Sequence, residues 1–219
     1  MFITAHPDDE TYLASGTIAE NNKLGGESIL VCATLGEKGK AHLSKPVTQA
    51  MLKQIREKEL QSVAKLLKVK KLSVLDLKDG QLCNCGKILL KDLKTAIQKT
   101  KPEVLISFGK DGVTGHLDHI AVGEATKLIA QDLDISFVAF VAPPAYVKQV
   151  ELTKQRRKHG VYKDDLLYPK PNLKIKINPE LKLQALMLHA SQISHQDPFH
   201  NFPKGCKQQM LNYEYFFVK

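Results

Sequence analysis

Short apolar runs alternate with helix-length segments along most of this chain, and that order restricts the fold more than any other feature. Residues 2–5, 28–33, 72–77, 104–108 and 135–142 are mostly continuous apolar runs, the pattern of strands covered on both faces. Between them the spacing predicts a helix from Asp9 or Glu10 to Gly25-Gly26. A second carries Val47, Met51, Leu52, Ile55, Val63, Leu66 and Leu67 at helical intervals, a third spans 88–97, and a fourth runs from His116 or Leu117 to Ala130. Residues 145–171 read as irregular and charged. They are followed by an alternating strand at 173–177, a helix over 180–193 and a last strand at 213–218. Strand–helix alternation of this kind builds an α/β fold with helices on both faces of a mostly parallel sheet. No internal repeat or linker marks a boundary, so residues 1–219 are expected to form one three-layer α/β/α, Rossmann-like domain.

Composition mainly excludes. No run of 18 apolar residues is present, so no membrane span is expected, and no basic segment leads into an apolar stretch at the N-terminus, which argues against a signal peptide. The cytoplasm is the expected address. Lys plus Arg number 32 against 23 for Asp plus Glu, a net charge of +9. The basic residues are scattered, and the densest group, Lys154-Gln155-Arg156-Arg157-Lys158-His159, lacks aromatic neighbours for stacking on bases. A solvated basic surface is therefore the expectation, and no nucleic-acid partner. Cys32, Cys83, Cys85 and Cys206 are too few at this length for a disulfide framework. Cys83-Asn84-Cys85 falls one residue short of the commoner redox and zinc spacing and reads as loop thiols, whereas Cys32 lies in an apolar run and reads as core.

Chemistry concentrates in two motifs. Ala5-His6-Pro7-Asp8-Asp9-Glu10 follows the first strand, and Gly115-His116-Leu117-Asp118-His119 follows the fourth. In open α/β sheets ligands collect beyond the carboxyl ends of the strands, and both motifs fall there. In the first, an imidazole and a carboxylate three residues apart can converge on one cation, and Pro7 restricts His6 to an extended backbone. The second supplies two more imidazoles and a carboxylate. Two His and one carboxylate, with a position left for water, make a common catalytic zinc set, while magnesium prefers oxygen. Taken singly each motif is weak: acids favour a helix start, and two histidines at this spacing occur by chance. Together, each at a strand end, they point to a metal site.

The sequence Ala5-His6-Pro7-Asp8-Asp9-Glu10 resembles the signature of the PIG-L/LmbE-like deacetylase superfamily, and His116-Leu117-Asp118-His119 matches its second motif with Leu117 in place of a frequent proline. Supporting matches continue through Thr34-Leu35-Gly36-Glu37-Lys38-Gly39, Arg56 with Glu59, Lys78-Asp79-Gly80, and Lys182, Ala185, His189, Ser191 and Gln192. The resemblance implies an LmbE-like deacetylase fold over the whole chain and a zinc-dependent N-deacetylase, with iron(II) as another candidate ion. It implies His6, Asp9 and His119 as metal ligands. Asp8 would be the general base that deprotonates the attacking water, and His116 the oxyanion stabiliser, cationic in that role. Arg56 and Asp79 would line the substrate pocket, and Asp118 would accept a hydrogen bond from a ligand histidine. Thr114 stands where many relatives carry an aromatic residue. The partner implied is a small N-acetylated sugar or conjugate; a homo-oligomer is allowed. A non-catalytic metal- or ligand-binding module of the same fold is the competing expectation.

Overall fold

The computed structural model describes residues 1–152 and 168–218. Its centre is a sheet of β1 (Phe2–Thr4), β2 (Ile29–Thr34), β3 (Lys71–Leu77), β4 (Val104–Phe108), β5 (Ser136–Phe140), β6 (Leu173–Lys176) and β7 (Tyr213–Val218). The order is β3-β2-β1-β4-β5-β7-β6. β1 to β5 pair in parallel, β7 runs antiparallel to β5, and β6 antiparallel to β7. All the strands expected from sequence form, and the fold is the mostly parallel α/β architecture anticipated. From β1 the chain winds outward to β3 on one side, then returns to place β4 on the other. Strand order therefore reverses between β1 and β4, the crevice where open sheets of this type bind ligands.

The connecting helices are α1 (Asp9–Leu13), α2 (Ser15–Lys23), α3 (Gln49–Leu66), α4 (Gly86–Thr100), a four-residue turn α5 (Gly112–Gly115), α6 (Leu117–Asp132), α7 (Pro144–Leu152), α8 (Pro179–Met187) and α9 (Cys206–Asn212). Leu89, Leu93 and Ile97, spaced by four, are the buried positions of α4 and form one stripe toward the core. α4 and α6 pack together near β3 and β4, while α2 packs on β7 and α8. Gly123 lets α6 approach the end of β4, since a Cβ there would collide with the Phe108 carbonyl. The core joins Phe2, Ile3, Leu30, Val31, Leu105, Phe108 and Phe140 of the strands to Ile18, Leu60, Val63 and Val122 of the helices.

Three boundaries differ from expectation. The first helix breaks at Ala14 (φ −148°), because the N–H groups of Gly16 and Thr17 are taken by the Glu214 carboxylate at 2.9 and 2.7 Å. The helix expected over 180–193 stops at Met187 and resumes as a single 3-10 turn, Ala190–Gln192, since His189 leaves the helical region to reach Glu10. The segment at 145–171 begins as α7. The rest of that expectation, with the basic group at 154–159, falls largely outside the described residues.

Candidate metal centre

His6 is buried and leaves β1 directly into a turn. His119 lies in the first turn of α6, after a tight loop with positive φ at Gly112, Val113 and Gly115. That loop brings the Gly112 carbonyl to 2.9 Å from His119 Nδ1, which must therefore carry a proton. His6 Nε2 lies 3.2 Å from Asp79 Oδ1 and 3.3 Å from Asp118 Oδ2, both acceptors, so its proton sits there. With both protons assigned outward, the inward atoms are His6 Nδ1 and His119 Nε2, 3.2 Å apart. Asp9 Oδ1 stands 3.2 Å from His119 Nε2, and Asp9 Oδ2 stands 3.7 Å from His6 Nδ1. Oδ2 is held in place by the N–H groups of Ala5 and His6 at 3.1 and 2.8 Å.

Lone pairs from two imidazoles and a carboxylate thus face one another, which only a cation or a proton can relieve. Ligand atoms around a tetrahedral zinc ion are about 3.3–3.6 Å apart, given bonds of about 2.0–2.2 Å. The donor set fits such an ion in chemistry, and the His6 Nδ1–His119 Nε2 separation is close to that spacing, while Asp9 presents a different oxygen to each imidazole. His116 brings a ring nitrogen within 4.8 Å of the other two histidines, and His6, Asp79 and Asp118 form a second group that meets the same distance. The second group shares His6 and contacts its outward nitrogen, the arrangement in which carboxylates orient a ligand histidine. Asp118 is itself fixed by the N–H groups of Gly80 and Leu82 at 2.6 and 3.0 Å.

Charge follows from this crowding. Burial works against a charged His6, but Asp118, Asp79 and Asp9 outweigh it and raise its pKa well above the usual imidazole value. Burial also opposes a charged Asp9, and His119 with His6 overrides it, holding Asp9 well below the carboxylate range. Asp8 is different. Burial, reinforced by Asp9 and Glu10 and opposed by Arg56, pushes it up to about 6. Its carboxylate lies 3.2 Å from Arg56 Nη2. His116 is held down to about 4 by burial and by the neighbouring imidazoles of His119 and His6, which favours a neutral ring. Its Nδ1 accepts the Asp118 N–H at 3.2 Å, so the neutral ring carries its proton on Nε2.

Arg56 and Asp79, expected at the substrate pocket, are both buried and engaged with the protein. Arg56 donates to the Gly36 carbonyl at 2.8 Å and to the Pro7 carbonyl, and a Cβ at Gly36 (φ 63°) would strike its guanidinium. Asp79 accepts the Lys38 N–H at 2.8 Å. Thr114 Oγ1 lies 3.5 Å from His119 Nδ1. Sequence reasoning gave no role to the Glu10–His189 contact of 2.6 Å, although both residues stood in the matched motifs. It missed Glu214 altogether. An acid between Tyr213 and Tyr215 in an otherwise apolar strand was the available signal, since a buried carboxylate requires a partner.

A mostly parallel sheet that brings two imidazoles and a carboxylate together at its strand-order reversal defines an α/β protein with a candidate metal centre. The match to the family model PIG-L: GlcNAc-PI de-N-acetylase covers residues 1–130, and the chain belongs to the PIG-L family. It is 35% identical over 127 residues to the Bacillus anthracis protein named "Probable N-acetyl-alpha-D-glucosaminyl L-malate deacetylase 2", covering 57% of this chain and 56% of that one. The match therefore spans little more than half the length of that relative. Among solved structures, N,N'-diacetylchitobiose deacetylase from Pyrococcus horikoshii superposes with a TM-score of 0.70 at 26% identity, over 100% of this chain and 82% of that one. GalB, a 4-carboxy-2-hydroxymuconate hydratase, shares the fold at 20% identity with a TM-score of 0.64, covering 87% of this chain and 78% of that one. The fold thus hosts more than one chemistry, and the reaction must be argued from the site. No helix among the described residues is long and apolar enough to cross a membrane.

Proposed function

We propose that this chain is a metal-dependent N-deacetylase that hydrolyses the acetamide of an amino sugar or its conjugate, releasing acetate and a free amine. The observation that carries this reading is the facing of His6 Nδ1, His119 Nε2 and the Asp9 carboxylate beside the Asp8 carboxyl. His6, Asp9 and His119 would hold the ion, with zinc the first choice and iron(II) also suited to the donors. A bound divalent ion supplies Lewis acidity to the amide carbonyl and to the attacking water.

The chain's own residues do the rest. Asp8, with its pKa raised to about 6, takes a proton from the attacking water as the C–O bond forms. It returns that proton to the leaving nitrogen as the C–N bond breaks. His116 donates a hydrogen bond from Nε2 to the developing oxyanion and keeps that proton. Asp118 and Asp79 orient His6 through its outward nitrogen. Arg56 orients Asp8, and Asp79 would accept a sugar hydroxyl in addition to its contacts with His6 and the Lys38 N–H. Family membership and the two deacetylases named above, whose names give N-acetylated sugars as substrates, support the substrate class.

Elemental analysis of the purified protein, coupled to amine release from a panel of N-acetylated sugars and their conjugates, tests the reading. About one divalent ion per chain, with activity lost to a chelator and restored by zinc or iron(II), is expected. Metal binding without amine release from any panel member would leave a non-catalytic binding module instead.

A further inference from the structure

Asp8 occupies a backbone conformation unusual for its type. Its φ of 105° and ψ of −29° lie where L-residues are rarely found, and holding a non-glycine there costs of order 1–3 kcal/mol. Surrounding bonds must impose it. The Asp8 carbonyl accepts from Thr11 N (2.9 Å), Thr11 Oγ1 (2.6 Å) and Tyr12 N (3.1 Å), and Arg56 grips the preceding carbonyl of Pro7. The Asp8 N–H donates to a side chain, Glu10 Oε2 at 3.0 Å.

Glu10 has no exposed surface, and a buried carboxylate needs a cationic partner. His189 provides it, with Nε2 at 2.6 Å from Glu10 Oε1. His189 is 2% exposed, and its Nδ1 has no hydrogen-bond partner among the described residues. That nitrogen faces Glu59 Oε2 at 3.9 Å. Glu59, on α3, is anchored by Ser191 N and Oγ, both at 2.7 Å. One polar chain therefore runs from α3 through the turn after α8 to the Asp8 amide.

We infer that Glu10 and His189 are positioning residues that hold the Asp8 peptide in its strained conformation and so aim its carboxylate. This rests on the role proposed for Asp8 above. A misplacement of about 1 Å at a reacting group can cost on the order of a hundredfold in rate.

Glu10→Leu and His189→Gln are the informative substitutions, with Glu10→Gln as the conservative one because it keeps an oxygen for the Asp8 N–H. Glu10→Leu should lower kcat about 10- to 100-fold with KM and metal content little changed, and Glu10→Gln should recover much of that loss. In an Asp8→Asn background, the Glu10 substitution should cause no further loss, because it acts through Asp8. A kcat within twofold of wild type for both Glu10→Leu and His189→Gln, or equal fractional losses with and without Asp8, would overturn the inference. Hydrogen exchange at the Asp8 amide reads the same contact without turnover. It should quicken about tenfold or more in Glu10→Leu, or in Glu10→Gln and His189→Gln combined if Glu10→Leu does not fold. Unchanged exchange sinks the positioning device. A wild type that releases no amine, yet shows the exchange difference, sinks the proposed reaction and leaves the backbone device standing.

Discussion

Beside β7, Lys182 and Glu214 form an ion pair with almost no exposed surface, and every acceptor in it has a donor. Glu214 receives Lys182 Nζ (2.8 Å), Gly16 N (2.9 Å), Thr17 N (2.7 Å) and Thr17 Oγ1 (2.6 Å), and Lys182 also reaches the Tyr12 carbonyl at 2.8 Å. Between β1 and β4 the same kinds of group are buried on different terms. There carboxylates and imidazoles converge on a space that a proton or a cation must bridge, and the neighbouring Asp8 is strained. A satisfied network specifies one geometry; an incompletely matched one stores the capacity to bind or to react. The first reads as a clamp and the second as a site.

Asp8→Asn should break the site most sharply. Loss of a general base commonly costs about 10²–10⁴ in rate, roughly 3–5 kcal/mol of barrier, with metal content near normal. Thermal stability should hold or rise, because a partly buried carboxyl with its pKa pushed up destabilises the fold when charged and asparagine tolerates positive φ. Equal loss of metal would overturn the separation of Asp8 from the ligands. The clamp should behave oppositely. Glu214→Ala or Lys182→Met leaves one buried charge uncompensated and should destabilise by about 3–5 kcal/mol, read by denaturant unfolding, with kcat unchanged in the protein that remains folded. The paired replacement Lys182→Met with Glu214→Leu should recover part of that loss. A single substitution that left stability intact would show the pair to be incidental.

The contrast also explains what the sequence could disclose. Strands were legible because burial on both faces requires continuous apolarity, and residues 28–33 and 104–108 announce themselves. The convergence of His6, Asp9, His116 and His119 was legible because two short motifs carry them at strand ends. The clamp was not, since Lys182 and Glu214 are 32 residues apart on different elements and pairing of that kind leaves no periodic trace. Helix ends were lost for a related reason. The breaks at Ala14 and His189 are imposed by distant side chains, Glu214 and Glu10, and local propensity is silent about them. α9 escaped notice because its seven residues follow a polar stretch and are too short for a stripe.

His189 lies between the two cases: fully buried like the clamp, but tied to the site. Burial alone would lower its pKa, yet the Glu10 carboxylate, with Glu59 and Asp8 nearby, raises it to about 9 from a usual 6.5. The folded protein then keeps a proton that the unfolded chain releases above pH 6.5. The stability this adds is complete below pH 6.5 and is lost as pH rises through about 9, with a slope of at most about 1.4 kcal/mol per unit from this one group. Unfolding free energies of wild type and His189→Gln measured from pH 6 to 9.5 should converge as pH rises. Parallel curves would mean that His189 stays neutral throughout.

A third ion pair gives the smallest effect and sets the scale for the others. Lys53 Nζ and Asp76 Oδ1 lie 2.6 Å apart, shorter than the 2.8 Å between Lys182 and Glu214, but the side chains are 38% and 57% exposed. Distance alone would rank this pair above Lys182 with Glu214. Exposure reverses the ranking, because water screens the attraction and two mobile side chains must be ordered to make it. A double-mutant cycle over Lys53→Met and Asp76→Asn should return a coupling of about 0.2–1 kcal/mol that shrinks further in high salt. A coupling comparable to that of Lys182 with Glu214 would mean that proximity, and not burial with complete hydrogen bonding, separates the strong pairs of this molecule from the weak ones. The distinction between clamp and site would then lose its physical basis.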